Sequence, residues 1–312
     1  MASPNRFRRD KRKADQVSLI EWLNESPASQ PPLVVAFGGW NDAGEAASLA
    51  MMWMSGRWSS TMMATLDPEP FYDFAETRPV LKLGDDGSRS LIWPTNLLSL
   101  ATVGTSDTPD GRETQVALLL GTEPQLRWRT FARQVVAMAH RLESPQVITL
   151  GALLSDVPHT RPTPVHGSCP DPEMRKRLKL SPSNYEGPTG IVGVLNDACT
   201  TAGLPTTSLW AAVPGYASEL PSPKACLALM QKLGTLLDIN PNTEDLEEMT
   251  QGYEQHVSEL AAQGEDASDF ITQLEQDYDQ QAGKAREMEQ MHSTDPDEFV
   301  DQIEQFLRDQ PQ

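Results

Sequence analysis

The stretch from Leu33 to Met54, LVVAFGGWNDAGEAASLAMMWM, constrains the fold more than any other part of the chain. Its apolar run, Leu33 to Phe37, follows Pro31-Pro32 and reads as a buried strand. Gly38 and Gly39 then supply a turn whose residues are free to take positive φ, and Trp40-Asn41-Asp42 complete it. Asp42 stands at an N-cap position, and Ala46, Ala47, Leu49, Ala50, Trp53 and Met54 recur at helical spacing behind it. Strand, glycine turn and capped helix form the first unit of a βαβ fold. Binding sites in such folds lie in the loops at the carboxyl ends of the strands.

The pattern continues for about two hundred residues. Strands are expected at Ser60 to Asp67, Val116 to Leu120, Val147 to Leu150 and Thr207 to Val213. Helices are expected from about Gln125 to Leu142, from Gly190 towards Gly203, and behind the Ser222-Pro223 start signal. Gln16 to Asn24 reads as a short segment or helical turn. Asp85-Asp86-Gly87 reads as the turn of an antiparallel hairpin between Arg78–Leu83 and Ser90–Trp93, an insertion that would make the sheet mixed. The expected class is α/β: a mixed, largely parallel sheet flanked by helices, with a C-terminal helical extension. In that extension Leu246, Met249, Tyr253, Val257 and Leu260, then Phe270, Leu274 and Tyr278, follow helical spacing. Gly264-Glu265-Asp266 marks a bend, and Asp295-Pro296-Asp297-Glu298 caps a final helix.

Charge divides the chain. The formal net charge is -19, and residues 241–312 carry 20 acidic side chains against 3 basic ones, so the remainder is almost neutral. The expected organisation is a basic, partly disordered arm over 1–30, an α/β domain over 31–240 and an acidic helical extension over 241–312. The acidic balance speaks against nucleic acid as a partner, because phosphate contacts need clustered Lys and Arg. The arm's Arg6, Arg8, Arg9, Lys11, Arg12 and Lys13 read as a solvated tail, the alternative being an arm for nucleic acid or membrane. No apolar run approaches the ~20 residues of a membrane span, nor follows the basic residues as a signal peptide would. Cys169, Cys199 and Cys226 have no metal-ligand spacing and no disulfide framework. A cytoplasmic protein without membrane, metal or cofactor is expected.

Three loops carry polar residues that could form a pocket. The first is Gly38, Gly39, Trp40, Asn41 and Asp42. Gly39 and Gly44 have the spacing of a phosphate loop, but Glu45 stands where its lysine belongs, which excludes a nucleoside triphosphatase loop. The second is Gly151 to Pro162, where Asp156, His159 and Arg161 could polarise a substrate or bind an anion. The alternative is an Asp156–Arg161 pair that merely orders the loop. The third is Asn184 to Gly190, where Tyr185, Glu186 and Thr189 precede a helix whose first amides suit an anion. Glu186 would oppose that anion unless paired with a cation such as Arg161; otherwise it is a helix-start acid. No GxSxG, HExxH or other catalytic motif is present.

Taken jointly, VVAFGGWNDAGEAAS (34–48), FYDFAETRPVLKL (71–83), RSLIWPTN (89–96), GALLSDVPHTRPTPV (151–165), SNYEGPTGIVGVL (183–195) and SLWAAVPGY (208–216) resemble the proteasome assembly chaperone 2 family in its longer bacterial branch. The resemblance covers about residues 33 to 237. It implies a fold similar to purine nucleoside phosphorylases and a tendency to self-assemble. Eukaryotic relatives help assemble proteasome rings, whereas bacterial members largely lack an assigned activity. The expectation is a homo-oligomer, with a trimer as the specific guess, whose α/β domain binds other protein chains and whose C-terminal helices add an interface. The competing reading is an enzyme or ligand-binding protein acting on a nucleoside-like or anionic compound at the three loops.

Overall fold

The computed structural model of the chain describes residues 19–84, 86–180 and 186–293. The expected arm up to residue 18 and the helix expected behind Asp295 lie outside the described residues.

One eight-stranded sheet organises the molecule, in the order β1-β3-β6-β7-β2-β8-β10-β9. These strands are Ile20–Trp22 (β1), Leu33–Gly38 (β2), Ser59–Leu66 (β3), Asn96–Val103 (β6), Thr114–Thr122 (β7), Val147–Ser155 (β8), Val165–Ser168 (β9) and Thr206–Pro214 (β10). β7, β2, β8 and β10 are parallel neighbours, and antiparallel strands extend the sheet on both sides. β2 lies in the parallel centre, and Leu33 to Phe37 are all buried. Because strand side chains alternate, Val34 and Ala36 enter one core while Leu33, Val35 and Phe37 enter the other. Helices α1 (Ala46–Arg57) and α5 (Pro223–Leu237) cover the first face, and α2 (Trp128–Arg141) and α4 (Ile191–Thr201) cover the second. Each buried Val, Leu or Phe contributes about 1.5–3 kcal/mol, so this one run fastens both layers. A short helix, α3 (Pro172–Arg177), follows β9.

Five features differ from the sequence expectations. Gln16 to Asn24 supplies an edge strand, β1, instead of a helical turn, because Ile20 to Trp22 pair with β3. The expected hairpin forms as β4 (Val80–Leu83) and β5 (Arg89–Ile92) but stands as a separate two-stranded sheet, so the mixed character comes from other strands. β6 was not expected; Ser99 interrupts its apolar run, yet it pairs between β3 and β7. Gly151 does not begin a loop: β8 runs on to Ser155, with β10 beside it. A Cβ at Gly151 would lie 2.7 Å from the Trp210 ring, so the glycine makes room for that indole. Finally, β9, just past that loop, adds an antiparallel edge that was not expected.

The C-terminal helices α6 (Glu244–Ala261) and α7 (Glu265–Ser293) form a hairpin. Leu246 of α6 joins the core beneath α1 and α5, and Tyr253 and Val257 pack against Ala217 and Leu220. No helix among the described residues is long and apolar enough to cross a membrane.

Candidate functional site

The parallel strands β7, β2, β8 and β10 end along one edge, and the glycine turn emerges there from β2. Gly39 has φ +134°, a conformation open to glycine, and a Cβ there would lie 3.1 Å from the Cβ of Glu123, just past β7. Glu123 is the hub of this edge. Its Oε1 accepts from the Asn41 side-chain amide (2.6 Å) and from the Ile191 N–H at the start of α4 (2.9 Å). Its Oε2 accepts from the Trp40 N–H (3.2 Å). One carboxylate therefore fixes the glycine turn and caps a helix from across the sheet, where the macrodipole favours negative charge. Asn41 lies so close to Gly190 that any Cβ there would overlap its carboxamide. The third loop's glycine is thus required by the first loop's asparagine.

Asp42 fulfils the capping role expected of it, but at longer range. A 3-10 turn, Ala43–Glu45, separates it from α1, and its Oδ1 accepts from Ala47 N–H (2.7 Å) and Ser48 N–H (3.3 Å). Burial raises its pKa against the opposing effect of these bonds. The Asn41 carbonyl accepts from Ala152 N–H (2.8 Å), tying the turn to β8. Trp40 points outward and is 68% exposed. The Asn41 Oδ1 is buried and has no hydrogen-bond partner among the described residues.

His159 and Arg161 belong to a second assembly, closed by the C-terminal helices. His159 is only 2% exposed. Its Nδ1 lies 2.8 Å from the Tyr216 hydroxyl and its Nε2 2.8 Å from Ser258 Oγ in α6. Ser258 donates to the Glu254 carbonyl (2.8 Å), so its oxygen accepts from a protonated Nε2, while Tyr216 donates to a bare Nδ1. This is neutral histidine, and burial, then the nearby Lys224 charge, hold its pKa below the ordinary value. Lys224 bonds both the His159 carbonyl and the Glu254 carboxylate. Arg161 forms a two-pronged pair with Asp279 of α7 (3.0 and 2.9 Å) and reaches Glu275 at 3.3 Å. Thr160 also bonds Glu275. Arg161 thus pairs with α7 rather than with Asp156 or Glu186.

The glycine turn and the start of α4 therefore come together, through Glu123. His159 and Arg161 are drawn towards α6 and α7. Asp156, Glu186 and Thr189 are exposed, with Thr189 leaning over Gly193 in the first turn of α4. Tyr185 lies outside the described residues. Sequence reasoning missed Glu123, although it is the first charged residue beyond the apolar run ending at Leu120, the same station that Asp42 occupies after β2. It also missed Tyr216, Lys224, Ser258, Glu275 and Asp279, whose partners lie far away in sequence. Among the described residues no group of three or more His, Cys, Asp or Glu side chains could hold a metal ion.

The PAC2 family model matches residues 36–261. The chain belongs to the PAC2 family. The match includes α6, and so runs past the acidic boundary near residue 241. A PAC2 family protein from Streptomyces avermitilis is 43% identical, with a TM-score of 0.70 over 77% of this chain and 99% of that one. A proteasome-assembly chaperone homologue from Mycobacterium tuberculosis is 38% identical, with a TM-score of 0.68 over 77% and 99% of the two chains. A Corynebacterium glutamicum protein of unknown function is 25% identical, with a TM-score of 0.75 over 85% and 99%. Among curated proteins there is no match.

Proposed function

We propose that this PAC2 family protein is an assembly-chaperone-like, protein-binding protein of the cytoplasm that works as a homo-oligomer. Its partners are further copies of itself, three in the simplest ring, and other protein chains; nucleic acid and membrane are not among them. Residues 241–312 act as an accessory interface. One observation carries this reading: Val80, Leu81, Leu83, Leu91, Ile92 and Trp93 of the β4–β5 hairpin are all large, apolar and exposed. Exposed apolar side chains on both faces of one ribbon mark a protein-binding element. The Mycobacterium relative described as a proteasome-assembly chaperone homologue supports the chaperone-like role.

Sedimentation at micromolar concentration tests the self-association, with a mass that is a multiple of 34.4 kDa expected. A monomer refutes it. Affinity capture from the native host, with and without residues 241–312, tests the partner-binding role. Recovery of proteasome subunits by the full chain supports the role, and recovery of the bait alone counts against it.

A second reading places ligand binding at Gly38, Gly39, Trp40, Asn41 and Asp42 with Thr189 alongside. The buried Asn41 Oδ1 without a partner favours it, since such an acceptor costs about 1–3 kcal/mol if left unsatisfied. A ligand there would shield Trp40. Titrating nucleosides, whose N–H and O–H groups can donate to that oxygen, against tryptophan fluorescence, with Trp40→Phe as control, would support this reading by a saturable change that the control loses.

A further inference from the structure

The two C-terminal helices are attached to the molecule in different ways. Residues matched by the PAC2 family model end at 261, where α6 itself ends, so α7 lies beyond the matched domain. α6 is built into the body. Its Leu246 enters the core beneath α1 and α5, Tyr253 and Val257 pack on Ala217 and Leu220, and its Asp245 accepts from the Trp53 indole (2.7 Å). Among the described side chains of α7 only Ile271 and Leu274 are buried, and neither belongs to the clusters that hold α6.

A cleft of about 310 Å³ separates the helices, walled by Tyr216, Leu220, Val257 and Leu260 of the body and by Phe270 and Ile271 of α7. Side chains that face such a gap forgo the dispersion contacts of a packed interface. Phe270 spans part of it, meeting the Tyr216 ring edge-on at 6.2 Å between centroids, yet it stays 48% exposed.

What holds α7 over the cleft is in large part polar, and it comes from the loop between β8 and β9. The Arg161 guanidinium grips Asp279 with two prongs and reaches Glu275, which the Thr160 hydroxyl also bonds. Side chains of Arg161, Glu275 and Asp279 remain 26–56% exposed, so water and salt compete with this pairing. An element with few buried apolar groups and a wet attachment opens locally at a cost well below that of global unfolding. The turn at Ala262, Gln263 and Gly264 is exposed throughout, and backbone rotation there can swing α7 without disturbing α6.

We infer that α7 is a strap: latched by Arg161 it covers the cleft, and released it swings out about residues 262–264 while the sheet and α6 stay folded. Opening bares the Tyr216 ring, Val257 and Leu260, an apolar surface of the matched domain, and frees the Arg161 guanidinium beside it. α7 thus withholds that surface until the latch opens. This goes beyond the accessory-interface role proposed above for residues 241–312, and it does not require self-association.

Hydrogen exchange of the full chain, together with the fluorescence of anilinonaphthalene sulfonate, which brightens on apolar surface, tests the strap. In the wild type, amides of residues 267–284 should exchange at least about tenfold faster than those of β2 and β8, and faster again as salt rises. Arg161→Glu should speed exchange over 267–284 roughly tenfold further and raise the dye fluorescence, leaving β2 and β8 unchanged. Leu274→Ala, which loosens α7 without touching the loop, should change both readouts in the same direction. Adding Glu275→Arg and Asp279→Arg to Arg161→Glu should return both towards wild type, because the latch re-forms with its charges reversed. Equal exchange of α7, β2 and β8 in the wild type overturns the strap, since α7 then opens only with the whole domain. Faster α7 exchange in Arg161→Glu without brighter dye also overturns it, because the cleft then stays covered.

Discussion

Replacing Glu123 by alanine should loosen the glycine turn and the start of α4 together. Three donors lose their acceptor: the Asn41 amide, the Trp40 N–H and the Ile191 N–H. Hydrogen bonds to a charged acceptor are worth about 1.5–3 kcal/mol each, and a lost helix cap alone about 1 kcal/mol. Glu123 is only half-buried, so water takes over part of this work. The expected loss is about 2–3 kcal/mol, below the sum of the separate bonds because the bonds share one carboxylate. In a domain of this size that lowers Tm by roughly 5–10 °C. Glu123→Gln keeps an oxygen for Asn41 and Ile191 but turns an amide towards the Trp40 N–H, and should cost about 1 kcal/mol. Urea denaturation gives both values, and a double-mutant cycle with Asn41→Ala should return a coupling of about 1 kcal/mol. Hydrogen exchange should report the loss first at Ile191. A Glu123→Ala protein within about 0.5 kcal/mol of wild type would show that the carboxylate is ordinary surface and refute the hub.

His159 predicts a pH dependence. Its native pKa lies below the ordinary value, so the unfolded chain takes up the proton first as pH falls through about 6.5. Stability should decline with acidification over that window, level off below the native pKa, and depend less on pH in His159→Asn; identical slopes in urea titrations would refute this. Arg161→Ala releases Asp279 and Glu275, and hydrogen exchange over residues 271–284 should accelerate while that of β2 and β8 does not change. Equal protection in both proteins would show that the pair does not hold α7. Gly190→Ala forces a methyl group into the Asn41 carboxamide and should cost about 2 kcal/mol by thermal denaturation, although its backbone conformation suits alanine.

The central layer was legible because its signals are local. Leu33 to Phe37, the glycine turn and the capping Asp42 lie within ten residues, and each constrains its neighbours. Ser222 likewise announced itself by the proline after it, and its side chain does accept from Ala225 N–H (3.2 Å). What could not be read depends on tertiary neighbours. Ile20 to Trp22 make a strand only because β3 offers an edge. Asn96 to Val103 carry Ser99 within an apolar run, and pairing on both sides decides their conformation. At the candidate site, nothing near Glu123 announces that Ile191, 68 residues later, needs an acceptor. Nothing near Arg161 points to Asp279, 118 residues on.

These long-range pairings bear on what the sheet edge can do. A helix start suits an anion, but at α4 a carboxylate of the protein already accepts the Ile191 amide, so an incoming phosphate would meet like charge unless Glu123 moved. A histidine that shuttles protons needs a free nitrogen facing substrate, yet both nitrogens of His159 lie against Tyr216 and Ser258. Freeing Nε2 would require α6 to shift and would uncover Leu246, Tyr253 and Val257 in the process, and freeing Nδ1 would require Tyr216 to leave its place after β10. The polar groups at this edge thus serve mainly to hold loops and helices in place. The apolar surface still open to a partner is that of the β4–β5 hairpin, where Leu81, Leu83 and Leu91 are each more than half exposed.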